Sequence, residues 1–197
     1  MTFDPIIPVT SALILSYIFV VAGVHKFRDL VEFRSTLENY QVLPMFLLSL
    51  FVYLVPILEL LTGFALLVPV TSEFAAVSAG VLLFMYLFAI GINLVKGRRA
   101  IDCGCGGTGQ KQNISEWLLL RNGVLMFFAY CVTASVQGRA LIWLDWVVAI
   151  LATVIACLFY NIVNQLLVNK DLLKGRGFLN SNTPDTLELE DVVAKTK

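Results

Sequence analysis

The residues best placed to do chemistry are Cys103 and Cys105, one glycine apart in the segment Ile101-Asp-Cys-Gly-Cys-Gly-Gly-Thr-Gly109. Two thiols at this spacing can close a small ring, and the strain of that ring favours exchange over permanent bracing. Gly104, Gly106, Gly107 and Gly109 free the backbone around them and leave both sulfurs open to a partner's thiolate. Arg98 and Arg99 favour the thiolate form, while Asp102 opposes it. A metal site needs three or four ligands, and one Cys-x-Cys supplies two. His25, the only histidine, and Asp102 could complete one, but redox exchange is the stronger reading and no metal is expected. The other two cysteines, Cys131 and Cys157, fall inside apolar runs at depths that differ by roughly 13 Å at about 1.5 Å of rise per residue, too far apart to pair. They read as small apolar core residues.

A second set of polar residues interrupts apolar sequence, where each is costly unless paired or functional. Glu59 stands three residues after Pro56 and, by depth, near Tyr17, a candidate hydrogen-bond partner. Arg121 and Asn122 are close in depth to Asn93 and to His25-Lys26. Arg121, Asn122, Asn93, His25 and Lys26 are expected to gather beneath the Cys-x-Cys loop and hold it against the helix ends, with Arg121 snorkelling to water as the simpler alternative.

Positioning these residues is the task of a strongly apolar chain. Of 197 residues 58% are hydrophobic and only 14% charged, and the mean hydropathy is +0.83. A soluble domain carries about 25% charged residues, so this chain is a membrane protein. Fourteen basic and fourteen acidic residues cancel, which removes any case for binding nucleic acid. Uncharged or nearly uncharged runs predict five transmembrane helices, at about 5–25, 44–69, 74–95, 117–137 and 141–168. Pro69-Val-Thr-Ser-Glu73 stops the second and caps the third. The fold class is therefore all-α, with one membrane domain over 1–170, a Cys-x-Cys loop over 96–116 and a polar tail over 171–197 expected to lack order. Trp117, Trp143 and Trp146 fall at span ends as interface anchors.

Residues 27–41 carry Phe27, Leu30, Phe33, Leu37 and Tyr40 at helical spacing among charges, which predicts an amphipathic helix on the membrane interface. With five spans, thirteen Lys and Arg fall on the face bearing the first loop, the third loop and the tail, and Arg139 alone on the other. Basic loops stay cytoplasmic, so the N-terminus is expected outside and the C-terminus inside a bacterial-type inner membrane. The first helix lacks a basic flank and a cleavage site and reads as retained, not as a signal peptide.

Ala22-Gly-Val-His-Lys-Phe27, Tyr40-Gln-Val-Leu-Pro44, Pro56-Ile-Leu-Glu59, Ile92-Asn-Leu-Val-Lys-Gly-Arg-Arg99, Ile101-Asp-Cys-Gly-Cys-Gly106 and Arg121-Asn122 together resemble the MauE family of methylamine utilisation proteins, within the broader DoxX-like membrane group. The resemblance covers about residues 10–135. It implies a DoxX-like four-helix bundle with one further helix, and a role in maturing or exporting the disulfide-rich small subunit of methylamine dehydrogenase with a thioredoxin-like partner. By the same resemblance Cys103 and Cys105 are the redox-active pair, and Glu59, Arg121 and Asn122 are pattern positions without an assigned role. The implied client gains its disulfides outside the membrane, whereas the charge count places the pair inside.

Three function classes follow. The first is a thiol–disulfide oxidoreductase acting through Cys103 and Cys105 for an exported disulfide-containing client. The second is a non-catalytic membrane subunit that recruits the thioredoxin-like partner through helix 27–41. The third is a quinone-linked oxidoreductase with Glu59 and Arg121 near the headgroup. Five spans do not divide into paired repeats, which disfavours a transporter.

Overall fold

The computed structural model describes residues 4–40, 44–97, 116–134 and 141–181. Among them lie six α-helices and no strand: α1 (Ile6–Arg28), α2 (Leu30–Tyr40), α3 (Met45–Ala65), α4 (Ser72–Val95), α5 (Glu116–Thr133) and α6 (Trp143–Ser181). Four of these, α1, α3, α4 and the Trp143–Leu166 part of α6, are long and apolar enough to cross a membrane. The remaining expected span corresponds to α5, of which Leu118–Thr133 is a shorter apolar helix among the described residues.

Local chemistry sets most boundaries. The Asp4 carboxylate accepts the Ile6 amide at 3.2 Å, which starts α1 immediately after Pro5. The last turn of α1 holds His25, Lys26 and Arg28 at the negative end of the helix dipole. Asp29 then breaks the helix at φ −136°, and its side chain accepts the Glu32 amide at 3.0 Å to cap α2. The amphipathic helix thus begins at Leu30, and Phe27 belongs to α1. Phe33, Thr36 and Tyr40 face inward, while Arg34 and Glu38 pair on the exposed side at 3.1 Å.

Helix α3 stops at Ala65, four residues before the predicted end, and α4 starts at Ser72. The turn chemistry differs from the expected cap. The Thr71 hydroxyl donates back to the carbonyls of Ala65 and Val68, at 2.8 and 3.2 Å, so it closes α3 and caps no amide of α4. Gly97, at φ +72°, ends α4 in the left-handed region that glycine adopts without a Cβ clash. At the start of α6 the Asp145 carboxylate reaches back to the Ile142 amide at 3.0 Å. The helix then runs as far as Ser181, so the first part of the segment expected to lack order is helical.

Helices α1, α3, α4 and α5 close into a ring in which each packs against the next and α5 returns to α1. Helix α6 lies against the outside of α1, and α2 folds back on α3. The main core brings together Leu15 and Phe19 of α1, Ala76, Ala79 and Leu83 of α4, and Leu125 and Ala129 of α5. Large apolar side chains such as Phe46, Phe74, Phe84, Phe127 and Phe159 are exposed, as expected of a surface solvated by lipid. Trp143 and Trp146 are exposed at the beginning of α6.

Helices α1 and α3 approach each other closely at two glycines. A Cβ on Gly63 would lie 2.8 Å from Cγ2 of Val20 and 3.3 Å from the Ser16 carbonyl, and one on Gly23 would lie 2.9 Å from Cγ of Leu60. Small residues let membrane helices meet backbone to backbone. Gly23 is one turn from Lys26 and Gly63 one turn from Glu59, so this contact carries those two side chains toward each other. At the same end of the bundle, Tyr40 of α2, Ile90 of α4 and Leu118 of α5 form one buried cluster. The connection that bears the two close-set cysteines therefore leaves and re-enters the bundle beside α2.

Candidate functional site: a buried polar centre

The polar centre is built on an ion pair. Lys26 Nζ lies 2.7 Å from Glu59 Oε1 and 2.8 Å from Oε2, with Lys26 4% and Glu59 1% exposed. The Tyr86 hydroxyl of α4 donates to Glu59 Oε1 at 2.6 Å. The ammonium also lies 5.3 Å from the centre of the Tyr86 ring and 5.6 Å from that of Phe33. One carboxylate thus receives two donors and ties α1, α3 and α4 together. In an apolar interior each of these charges is stabilised by the other, and removing one takes away the main compensation of its partner.

Pro56 explains part of the local geometry. It is buried inside α3 and has no amide hydrogen, so the helix loses a hydrogen bond one turn below Glu59.

Next to the ion pair is a cavity of about 40 Å³ lined by Lys26, Glu59, Tyr86, Arg121, Asn122 and Tyr160, among others. The Arg121 guanidinium lies 5.8 Å from the centre of the Tyr160 ring and reaches Asn164 Oδ1 at 3.5 Å. It is engaged with α6 instead of extending to water. Two cations and one carboxylate face this space. Asn122 is 2% exposed, and its Nδ2 has no acceptor among the described residues.

Four of the sequence-predicted residues, Lys26, Glu59, Arg121 and Asn122, therefore surround one cavity. Asn93 does not line it. Its side chain is fully buried, donates to the Ala89 carbonyl of its own helix at 2.9 Å, and leaves Oδ1 without a partner among the described residues. His25 likewise stands outside the lining, with a buried Nδ1 that finds no described partner. The predicted partner of Glu59 is corrected: Tyr17 accepts from Asn161 of α6 at 3.1 Å, and the tyrosine on Glu59 is Tyr86. Tyr86 and Tyr160 are the residues that sequence reasoning missed. A tyrosine deep in an apolar run needs a partner for its hydroxyl, and that signal was present at both positions. Cys131 and Cys157 are buried and free. Cys103 and Cys105 lie outside the described residues.

A ring of apolar helices with an aromatic-lined ion pair at its centre defines a multi-pass α-helical membrane protein with a buried polar site. The chain belongs to the MauE family: the family model of methylamine utilisation protein MauE matches residues 4–135. It is 33% identical over 135 residues to methylamine utilization protein MauE of Paracoccus denitrificans, covering 68% of this chain and 73% of that one. The protein of the same name from Methylophilus methylotrophus is 39% identical over 105 residues, 53% of this chain and 55% of that one. The one from Methylorubrum extorquens is 37% identical over 127 residues, 64% and 68% of the two chains. No solved structure matches. The matched region contains Lys26, Glu59, Tyr86, Arg121 and Asn122, whereas Tyr160 and all of α6 lie beyond it.

Proposed function

We propose that this protein is a membrane thiol–disulfide oxidoreductase that supports the maturation of an exported, disulfide-containing protein in methylamine utilisation. The relatives bear methylamine utilisation in their names, and the Cys103-Gly104-Cys105 spacing suits exchange. The observation that carries the reading is where the connection bearing these cysteines begins and ends. It joins Gly97 to α5 at the end of the bundle that holds α2 and Lys96, the end at which a partner would have to dock to reach it.

In the step proposed, a thiolate of a thioredoxin-like partner attacks the Cys103–Cys105 disulfide and forms a mixed disulfide. The partner's second thiolate then displaces it. Two electrons and two protons pass, leaving the partner oxidised and Cys103 and Cys105 as thiols. The basic end is cytoplasmic in this reading, with the N-terminus of α1 outside and the membrane a bacterial cytoplasmic one.

The test replaces both residues, Cys103→Ser with Cys105→Ser, in a methylamine-grown host. The expected result is an exported client that accumulates with mispaired disulfides, because reducing equivalents taken from the cytoplasmic partner no longer pass outward to correct them. Normal client disulfides and growth would overturn the redox role, and loss of assembly on breaking α2 instead would assign the protein a recruiting role.

A further inference from the structure

We propose that the polar cavity beside Asn122 and an apolar cleft next to it form one binding site for a lipid-soluble molecule with a carbonyl-type oxygen on its head. The cleft, about 350 Å³, runs between α1, α5 and α6. It shares Ile18, Arg121, Leu125 and Tyr160 with the smaller polar cavity, so the two spaces adjoin.

The chemistry of the two halves differs in the way an amphipathic ligand requires. In the polar half Asn122 offers a buried N–H with no acceptor among the described residues, next to the cations Lys26 and Arg121. Glu59, the carboxylate there, already accepts from Lys26 and Tyr86. Leaving a buried amide donor unmet is costly, so the space calls for an acceptor. Water alone could supply one, but it would not fill the cleft beyond, whose walls include Ile14, Val124, Phe128, Ala156 and Phe159. Leu120, Val124 and Phe159 are exposed at the mouth of that cleft, on a surface that faces hydrocarbon. The ligand therefore enters from the bilayer, and the aromatic walls suit a flat ring or an acyl chain.

Two membrane components carry this chemistry, an isoprenoid quinone and the ester carbonyl of a phospholipid. The site stands apart from the thiol chemistry, so a Cys103→Ser/Cys105→Ser chain should retain the ligand whether or not the redox role holds.

The test purifies the full chain in mild detergent, extracts it with organic solvent, and measures quinone by its redox difference spectrum and phospholipid by mass spectrometry. Decylubiquinone and a short-chain phosphatidylglycerol are then titrated separately, with binding followed by the shift in melting temperature. We expect one of the two near one per chain and a saturable upward shift with that probe. Asn122→Leu should weaken the probe by about three- to tenfold, the worth of one hydrogen bond. Ala156→Phe fills the cleft from α6 and should abolish the shift, measured from that variant's own melting temperature without ligand. Saturation by decylubiquinone assigns a quinone site and saturation by the lipid a phospholipid site. No saturable shift with either probe, or equal binding by Ala156→Phe, would overturn the proposal.

Discussion

Gly63 of α3 packs so closely on Val20 of α1 that a Cβ added to the glycine would stand 2.8 Å from the valine Cγ2. That contact and its counterpart at Gly23 fix the distance between two helices whose next turns carry Glu59 and Lys26. Gly63→Ala should therefore destabilise the fold by about 1–3 kcal/mol, the usual cost of overpacking. Gly80→Ala is the matched control. A Cβ added there would meet nothing within 4 Å, and removing a glycine from a helix interior should stabilise by about 0.5–1 kcal/mol. Thermal unfolding in one detergent compares the two, and equal shifts would contradict the close-contact account.

The ion pair itself is open to a double-mutant cycle. Lys26→Met leaves Glu59 charged and buried, and Glu59→Leu does the same to Lys26, so each single change should cost about 3–5 kcal/mol. The double variant removes both charges and should recover much of that loss, because two apolar side chains replace a pair that had to be desolvated. Strict additivity of the two single effects would mean that the 2.7 Å contact contributes no coupling.

Parts of this arrangement were legible in the sequence and parts were not. The apolar runs gave the helices because backbone groups in hydrocarbon must bond within their own segment. The boundaries were less legible. Asp29 and Thr71 act through side-chain hydrogen bonds that composition does not reveal. Depth arguments gather Lys26, Arg121 and Asn122 at one level and put Glu59 beside Tyr17, whereas the structure brings all four to one cavity. Depth alone cannot give the rotation of a helix about its axis. It therefore matches Glu59 to Tyr17, which turns toward α6, when the residue facing Glu59 across the ring is Tyr86.

Tyr86→Phe tests that last assignment. The ring remains beside Lys26 while one donor to the carboxylate is lost, which should cost about 1.5–3 kcal/mol, the range for a hydrogen bond to a charged group. Tyr17→Phe removes a hydroxyl held by an exposed asparagine and should change stability by less than about 1 kcal/mol. Chemical unfolding of both variants in micelles ranks them, and a larger effect at Tyr17 would restore the partner expected from depth.

Two of the four cysteines are buried, which supplies a topological test of the other two. Cys131 is 3% exposed and Cys157 9%, both in packed helices, so neither should react with a membrane-impermeant maleimide until the protein is denatured. Any rapid labelling of intact cells or inverted vesicles therefore reports Cys103 and Cys105, and it should vanish in the Cys103→Ser/Cys105→Ser chain. With the basic end of the bundle in the cytoplasm, labelling is expected in inverted vesicles after reduction and not in intact cells. The reverse pattern would move the thiols to the outer side. Oxidation of an exported client would then be direct, with electrons flowing from the client's thiols to the Cys103–Cys105 disulfide.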